Sequence, residues 1–157
     1  MRRADLADLD AVVALHLAET RYAEQVSGTA ERANTEALFR EVCAAALAVD
    51  RPWVWVAEHD GEVIGVTRME PPSESSWFAP LVAAAPAAYL SCQSVAERHR
   101  GGGVGAALIR RAHAAADRAG AAAILLHHAA LNPLSAPFWN RCGYRPLWTN
   151  WELSPAR

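Results

Sequence analysis

Arg100-Gly101-Gly102-Gly103-Val104-Gly105 lies between an apolar run, Ala87 to Val95, and an alanine-rich amphipathic run, Ala106 to Ala119. This order reads as strand, turn and helix. Three consecutive glycines, with a fourth two residues on, let backbone approach a ligand with no Cβ in the way and take positive φ without steric cost. The helix that follows aims its unpaired NH groups and the positive end of its dipole at the same place. A phosphate or pyrophosphate is the natural occupant of such a turn.

Working outward, 157 residues match one ordinary domain, taken as 1–157, long enough to bury a real core. Hydrophobic residues make up 52% and charged residues 20%, a globular balance, and no apolar run approaches the roughly 20 residues of a membrane span. No membrane association is expected. Met1-Arg2-Arg3-Ala4-Asp5 opens a mixed acidic and apolar segment without the continuous apolar stretch of a secretory leader, which points to a cytoplasmic protein. Three cysteines, Cys43, Cys92 and Cys142, are scattered and form no Cys-x-x-Cys, so neither a disulfide framework nor a metal site is indicated. A net charge of −2 argues against nucleic acid as the main partner.

From Ala7 to Tyr22 the apolar positions fit a helix with acids in its first turn, and a second helix is read from about Ala30 to Val49. The runs Trp53 to Glu58 and Val63 to Arg68 flank an Asp60-Gly61 turn and predict a β-hairpin. Residues 70–86 hold four prolines and form a long loop of the kind that covers binding sites. The helix after the glycines should bury Val104, Leu108, Ala112, Ala115 and Ala119. Ala121 to His128 predicts a strand. Ser135 is read as the N-cap of a short helix that tolerates Pro137 and ends at Gly143, and Arg145 to Leu153 as a last strand. The order implies a mixed α/β fold around one sheet.

Three glycine-rich devices compete for residues 100–106. A nucleoside-triphosphate loop needs Lys and Ser or Thr after its last glycine, where this chain has Val104, Gly105 and Ala106. A dinucleotide fingerprint, formally met by Gly101-x-Gly103-x-x-Ala106, expects an acid about 20 residues on, but the next strand ends in His127 and His128. The third fits. Val95 followed by Arg100-x-x-Gly103-x-Gly105 resembles the acetyl-CoA signature of the GCN5-related N-acetyltransferase (GNAT) family. Asn132, Ser135, Phe138-Trp139 and Gly143-Tyr144 follow that family's second signature, and the Asp60-Gly61 hairpin with Gly65 falls in register. The resemblance runs from Arg2 to Leu153. Only Met1 to Ala4 remains for the family's first strand, which is therefore short, or the sequence begins late.

The resemblance implies a mostly antiparallel, twisted sheet splayed between its fourth and fifth strands, flanked by about four helices, with acetyl-CoA as co-substrate and no metal. It places Ser94, Val95 and Ala96 along the pantetheine arm. It gives the pyrophosphate to NH groups of Arg100, Gly101, Gly102, Gly103, Val104, Gly105 and Ala106, with Asn132, Ser135, Phe138 and Trp139 completing the cofactor site. The implied reaction is attack of a primary amine of a small molecule or peptide on the thioester, in a ternary complex. His127 stands where several relatives carry a carboxylate base; Glu58 and Glu70 are further candidates, Glu70 the better placed. Trp139 replaces a tyrosine that protonates the leaving thiolate in many relatives, and Tyr144 is a substitute. Tyr22, Trp77 and Phe78 are assigned to the acceptor, and Glu19, Glu24, Glu70 and Glu74 hint that it is cationic. The alternative is a silent acyl-CoA-binding module or one half of a two-domain enzyme. Trp148 and Trp151 on the last strand suggest a homodimer.

Overall fold

The computed structural model describes residues 1–27, 30–75 and 82–149. A two-residue strand β1 (Arg2–Arg3) leads into helix α1 (Leu9–Glu24), then α2 (Thr35–Leu47), β2 (Val54–His59), β3 (Glu62–Glu70), β4 (Ala87–Val95), α3 (Val104–Arg118), β5 (Ala123–Leu126) and α4 (Ser135–Arg141). The sheet order is β1-β2-β3-β4-β5, antiparallel except for the parallel β4/β5 pair.

The short first strand is held by charge as much as by ladder. The Arg2 guanidinium donates to both Asp8 carboxylate oxygens at 2.7 and 2.8 Å and to Glu58 Oε1 at 2.8 Å, so strand, helix entry and β2 share one clasp. Asp5 and Asp8 form a capping box there, with Asp5 accepting from the Ala7 amide and Asp8 from the Asp5 amide. Arg2 holds the Asp8 carboxyl below the usual carboxylate range. The expected hairpin is present. Asp60 (φ 50°) and Gly61 (φ 81°) both take the left-handed conformation that a tight two-residue turn between twisted strands requires.

The sheet separates two cores. On one face α1 and α2 bury Val12, Val13, Leu17, Cys43 and Leu47 against Val54, Val56 and Val66; on the other α3 buries Leu108, Ile109, Ala112, Ala115 and Ala116 against Trp55, Ile64 and Leu90. Gly65 lets α3 lie close, because a Cβ there would meet Leu108 at 3.2 Å and the Ser94 carbonyl at 3.3 Å.

Four expectations need correction. α2 begins at Thr35 rather than near Ala30. Ala119 is exposed beyond the end of α3, and Ile109 and Ala116 take the buried stripe instead. β5 stops at Leu126, because β4 pairs with it only from Ala87 to Leu90. Residues 145–149 carry no strand, and the rest of the expected last strand, with Trp151, lies outside the described residues.

Candidate functional site

The parallel pairing ends at Leu90 with Leu126, yet β4 continues to Val95. Its far half is paired with another strand only on the β3 side. The Ala96 amide donates to the Ile64 carbonyl at 2.9 Å, and by antiparallel alternation Gln93 and Val95 then turn their amides and carbonyls towards the gap. Ala96 itself is committed, since its carbonyl also accepts from the His99 amide at 2.8 Å.

At the head of this open edge the glycine turn behaves as its composition predicts. Gly101 and Gly103 both have φ 81°, and Gly103 is the N-cap of α3. The first turn of α3 holds no acidic residue and no side chain caps it, so the amides ahead of the first helical bond, Ala107 to Gly103 at 3.0 Å, are left for a ligand. Arg100 folds back over the mouth. Its Nε donates to the Val95 carbonyl at 3.0 Å and its guanidinium lies 5.5 Å from the centre of the Tyr22 ring.

These elements wall a cleft of about 370 Å³. The structure brings to it Tyr22, Ser94, Val95, Arg100, Gly101, Gly103, Val104, Gly105, Ala106, Asn132, Ser135, Phe138 and Trp139. Gly102 sits in the turn but outside the lining, and Ala96 is also outside it. Gly105 is needed for closure by α4, since a Cβ there would stand 3.3 Å from the Phe138 ring.

Sequence reasoning missed Gln93, Leu134 and Arg141, and placed Glu19 only among acceptor hints; all four line the cleft. Gln93 is the most informative. Thr67 donates to its Oε1, while its Nε2 is buried with no hydrogen-bond partner among the described residues. Buried donors are normally bonded, so one left open in a cleft wall marks where a ligand acceptor belongs. The signal available was a lone amide side chain in an apolar strand.

Asn132 is buried, and its Oδ1 accepts from the Leu134 amide at 2.9 Å and the Ser135 amide at 3.2 Å. It therefore fastens the entry to α4, correcting the expectation that Ser135 is the cap: Ser135 is the first helical residue. With its oxygen so used, Asn132 has its NH2 donors to offer the cleft. Asn132→Ala is expected to destabilise the fold by about 1–2 kcal/mol, read from denaturant midpoints, through loss of these two hydrogen bonds. The helix ends as expected: Gly143 (φ 93°) donates to the Asn140 carbonyl and Tyr144 to that of Trp139, a Schellman closure.

The three residues read as catalytic stand apart from the lining. His127 is exposed just past β5, with its Nδ1 3.1 Å from the Tyr89 hydroxyl. Glu70, 3.7 Å from Arg68, borders a second depression at the far end of β3. The Tyr144 hydroxyl is 2.9 Å from His113 Nε2, its ring packs on Trp139, and burial pushes its pKa up. Trp77 and Phe78 lie outside the described residues. No group of three or more His, Cys, Asp or Glu among the described residues is placed to hold a metal ion. None of the described helices is long and apolar enough to cross a membrane.

The fold recurs in known proteins. A GCN5-related N-acetyltransferase from Ralstonia eutropha is similar over 99% of this chain and 96% of its own, at 25% identity and a TM-score of 0.70. The 6'-N-acetyltransferase for aminoglycoside antibiotics from Acinetobacter haemolyticus is similar over 99% and 97%, at 19% identity and 0.69. An aminoglycoside N-acetyltransferase in complex with CoA is similar over 98% and 92%, at 16% identity and 0.71. No curated protein matches the chain in sequence. The profile of the acetyltransferase (GNAT) family matches residues 12–144, and the chain belongs to that family.

Proposed function

We propose that the protein transfers an acetyl group from acetyl-CoA to a primary amine of a small molecule or peptide, in a ternary complex within a single domain spanning residues 1–157. What carries this reading is the open edge of β4 leading from the glycine turn, with the unpaired Gln93 Nε2 beside it. Amides of Gly101 to Ala106 and the Arg100 guanidinium suit the diphosphate, and backbone groups of Gln93 and Val95 with the Asn132 NH2 suit the pantetheine arm. Two structural neighbours are aminoglycoside N-acetyltransferases, one of them in complex with CoA, and they favour this cofactor and a small-molecule amine.

In the proposed reaction the amine lone pair attacks the thioester carbonyl, a C–N bond forms, the C–S bond breaks and CoA leaves as thiolate. His127 takes the amine proton. It follows Leu126, the last residue paired to β4, and so stands where the strands begin to part. Trp139, only 9% exposed, is a core residue whose indole NH cannot protonate the thiolate. A thiol with an ordinary pKa of about 8.5 leaves as the anion.

Calorimetry with acetyl-CoA and with CoA, followed by thiol release across polyamines, amino sugars, amino acids and peptide N-termini, tests the proposal. Saturable heat and turnover with at least one amine are expected; no heat with either form of the coenzyme overturns it. Trp139→Tyr is expected to keep or raise the rate. The second reading, a silent acyl-CoA-binding module, is favoured by Trp139 and predicts binding without turnover.

A further inference from the structure

Glu19 and Tyr22 lie one turn apart on α1 and face the same cleft as the glycine turn. Glu19 is half-buried, and among the described residues no cation or hydrogen-bond donor pairs with its carboxylate; Arg21, two positions on, is taken by Glu31. Burial alone pushes its pKa up, and its charge acts on the buried Cys92 thiol of β4. A carboxylate sheltered from water without a partner is costly, and the cost is recovered when a cation docks on it.

Its place along the strand says which part of a ligand it meets. The diphosphate socket follows Val95 at the end of β4, so an arm laid back along the strand carries its thioester along the element on which α1 packs, and Glu19 of α1 lines that same cleft. We infer that the acceptor is a cationic amine lacking a carboxylate next to its nitrogen, and that its ammonium docks on Glu19 with its carbon skeleton against Tyr22. The inference rests on the proposed acetyl transfer. A free amino acid brings a second carboxylate to the same pocket and is rejected by like-charge repulsion.

Tyramine and tyrosine differ by that carboxylate alone and make the test. Tyramine is titrated calorimetrically into the CoA-bound wild type and Glu19→Gln, and KM and kcat are measured with acetyl-CoA for both amines. The wild type is expected to favour tyramine over tyrosine by at least about tenfold in kcat/KM, and Glu19→Gln to weaken tyramine binding and raise its KM by at least about tenfold. Glu19→Asp recovers part of the loss. The Gln variant also melts at higher temperature, since it removes an unpaired sheltered charge, and this separates the proposal from a folding defect. Equal use of tyramine and tyrosine, acetylation of neither, or an unchanged tyramine dissociation constant in Glu19→Gln overturns the inference while leaving acetyl transfer standing. Absence of CoA binding overturns both.

Discussion

Gly103→Val is expected to weaken CoA binding by on the order of 100-fold or more, because it redirects the amides to which the proposed function gives the diphosphate. Gly103 has φ 81° and ψ 0° at the N-cap of α3. A β-branched residue in that region costs about 1–3 kcal/mol, which the chain either keeps as strain or relieves by turning the peptide. Crowding is not the cause, since a Cβ at Gly103 meets nothing within 4 Å. Gly61→Val is the control. Gly61 has the same φ of 81° in equally open space, but in the β2–β3 turn and outside the cleft. Both variants should lose comparable stability in denaturant, and only Gly103→Val should lose CoA in calorimetry. Equal affinity in the two would remove the turn from the binding site.

The second large effect is on stability in mild acid. His16 is 8% exposed between α1 and α2, stacked on Phe39 at 4.0 Å, with Nδ1 3.9 Å from the Cys43 sulfur. Burial, with the Arg68 charge nearby, pushes its pKa down to about 4 from the ordinary 6.5. The fold thus holds the neutral ring, and its contribution is complete above pH 6.5 and lost as pH falls through the folded value near 4. The shift corresponds to about 3 kcal/mol by pH 4. Urea midpoints measured from pH 7 to pH 4 should fall accordingly in the wild type, and His16→Leu should flatten that slope. Two other groups act differently. Asp8, held down by Arg2, keeps its contribution above 3.8 and loses it only at lower pH; Glu19, pushed up by burial, loses its contribution as pH rises. A wild-type profile as flat as that of His16→Leu would show that the ring is not held neutral.

Local signals in the chain were enough for the hairpin, for β4 to its exact ends at Ala87 and Val95, and for the helix after the glycines, because turn residues and periodicity mark them within a few positions. The extent of β5 was not legible. Residues 121–128 are uniformly suited to a strand, and pairing with β4 decides that only Ala123 to Leu126 adopt one. The glycine motif identified one wall of the cleft. The facing wall depends on α1 folding over β4, which brings Glu19 and Tyr22 to the cleft beside Gln93 to Val95 across about seventy positions of chain, and no spacing rule expresses that approach. Asn132 was singled out for the cofactor, but its oxygen is spent locally on α4, an economy visible only in hydrogen bonds.

Because the sheet keeps two cores on opposite faces, the molecule is divided by task as well as by packing. The α3 face carries the glycine turn, and the α1 and α2 face carries Glu19 and Tyr22. Away from the cleft where Arg100 meets Tyr22, substitutions in the two cores touch different neighbours, so their effects on stability should sum almost independently. One core can therefore be repacked over many generations while the other stays unaltered.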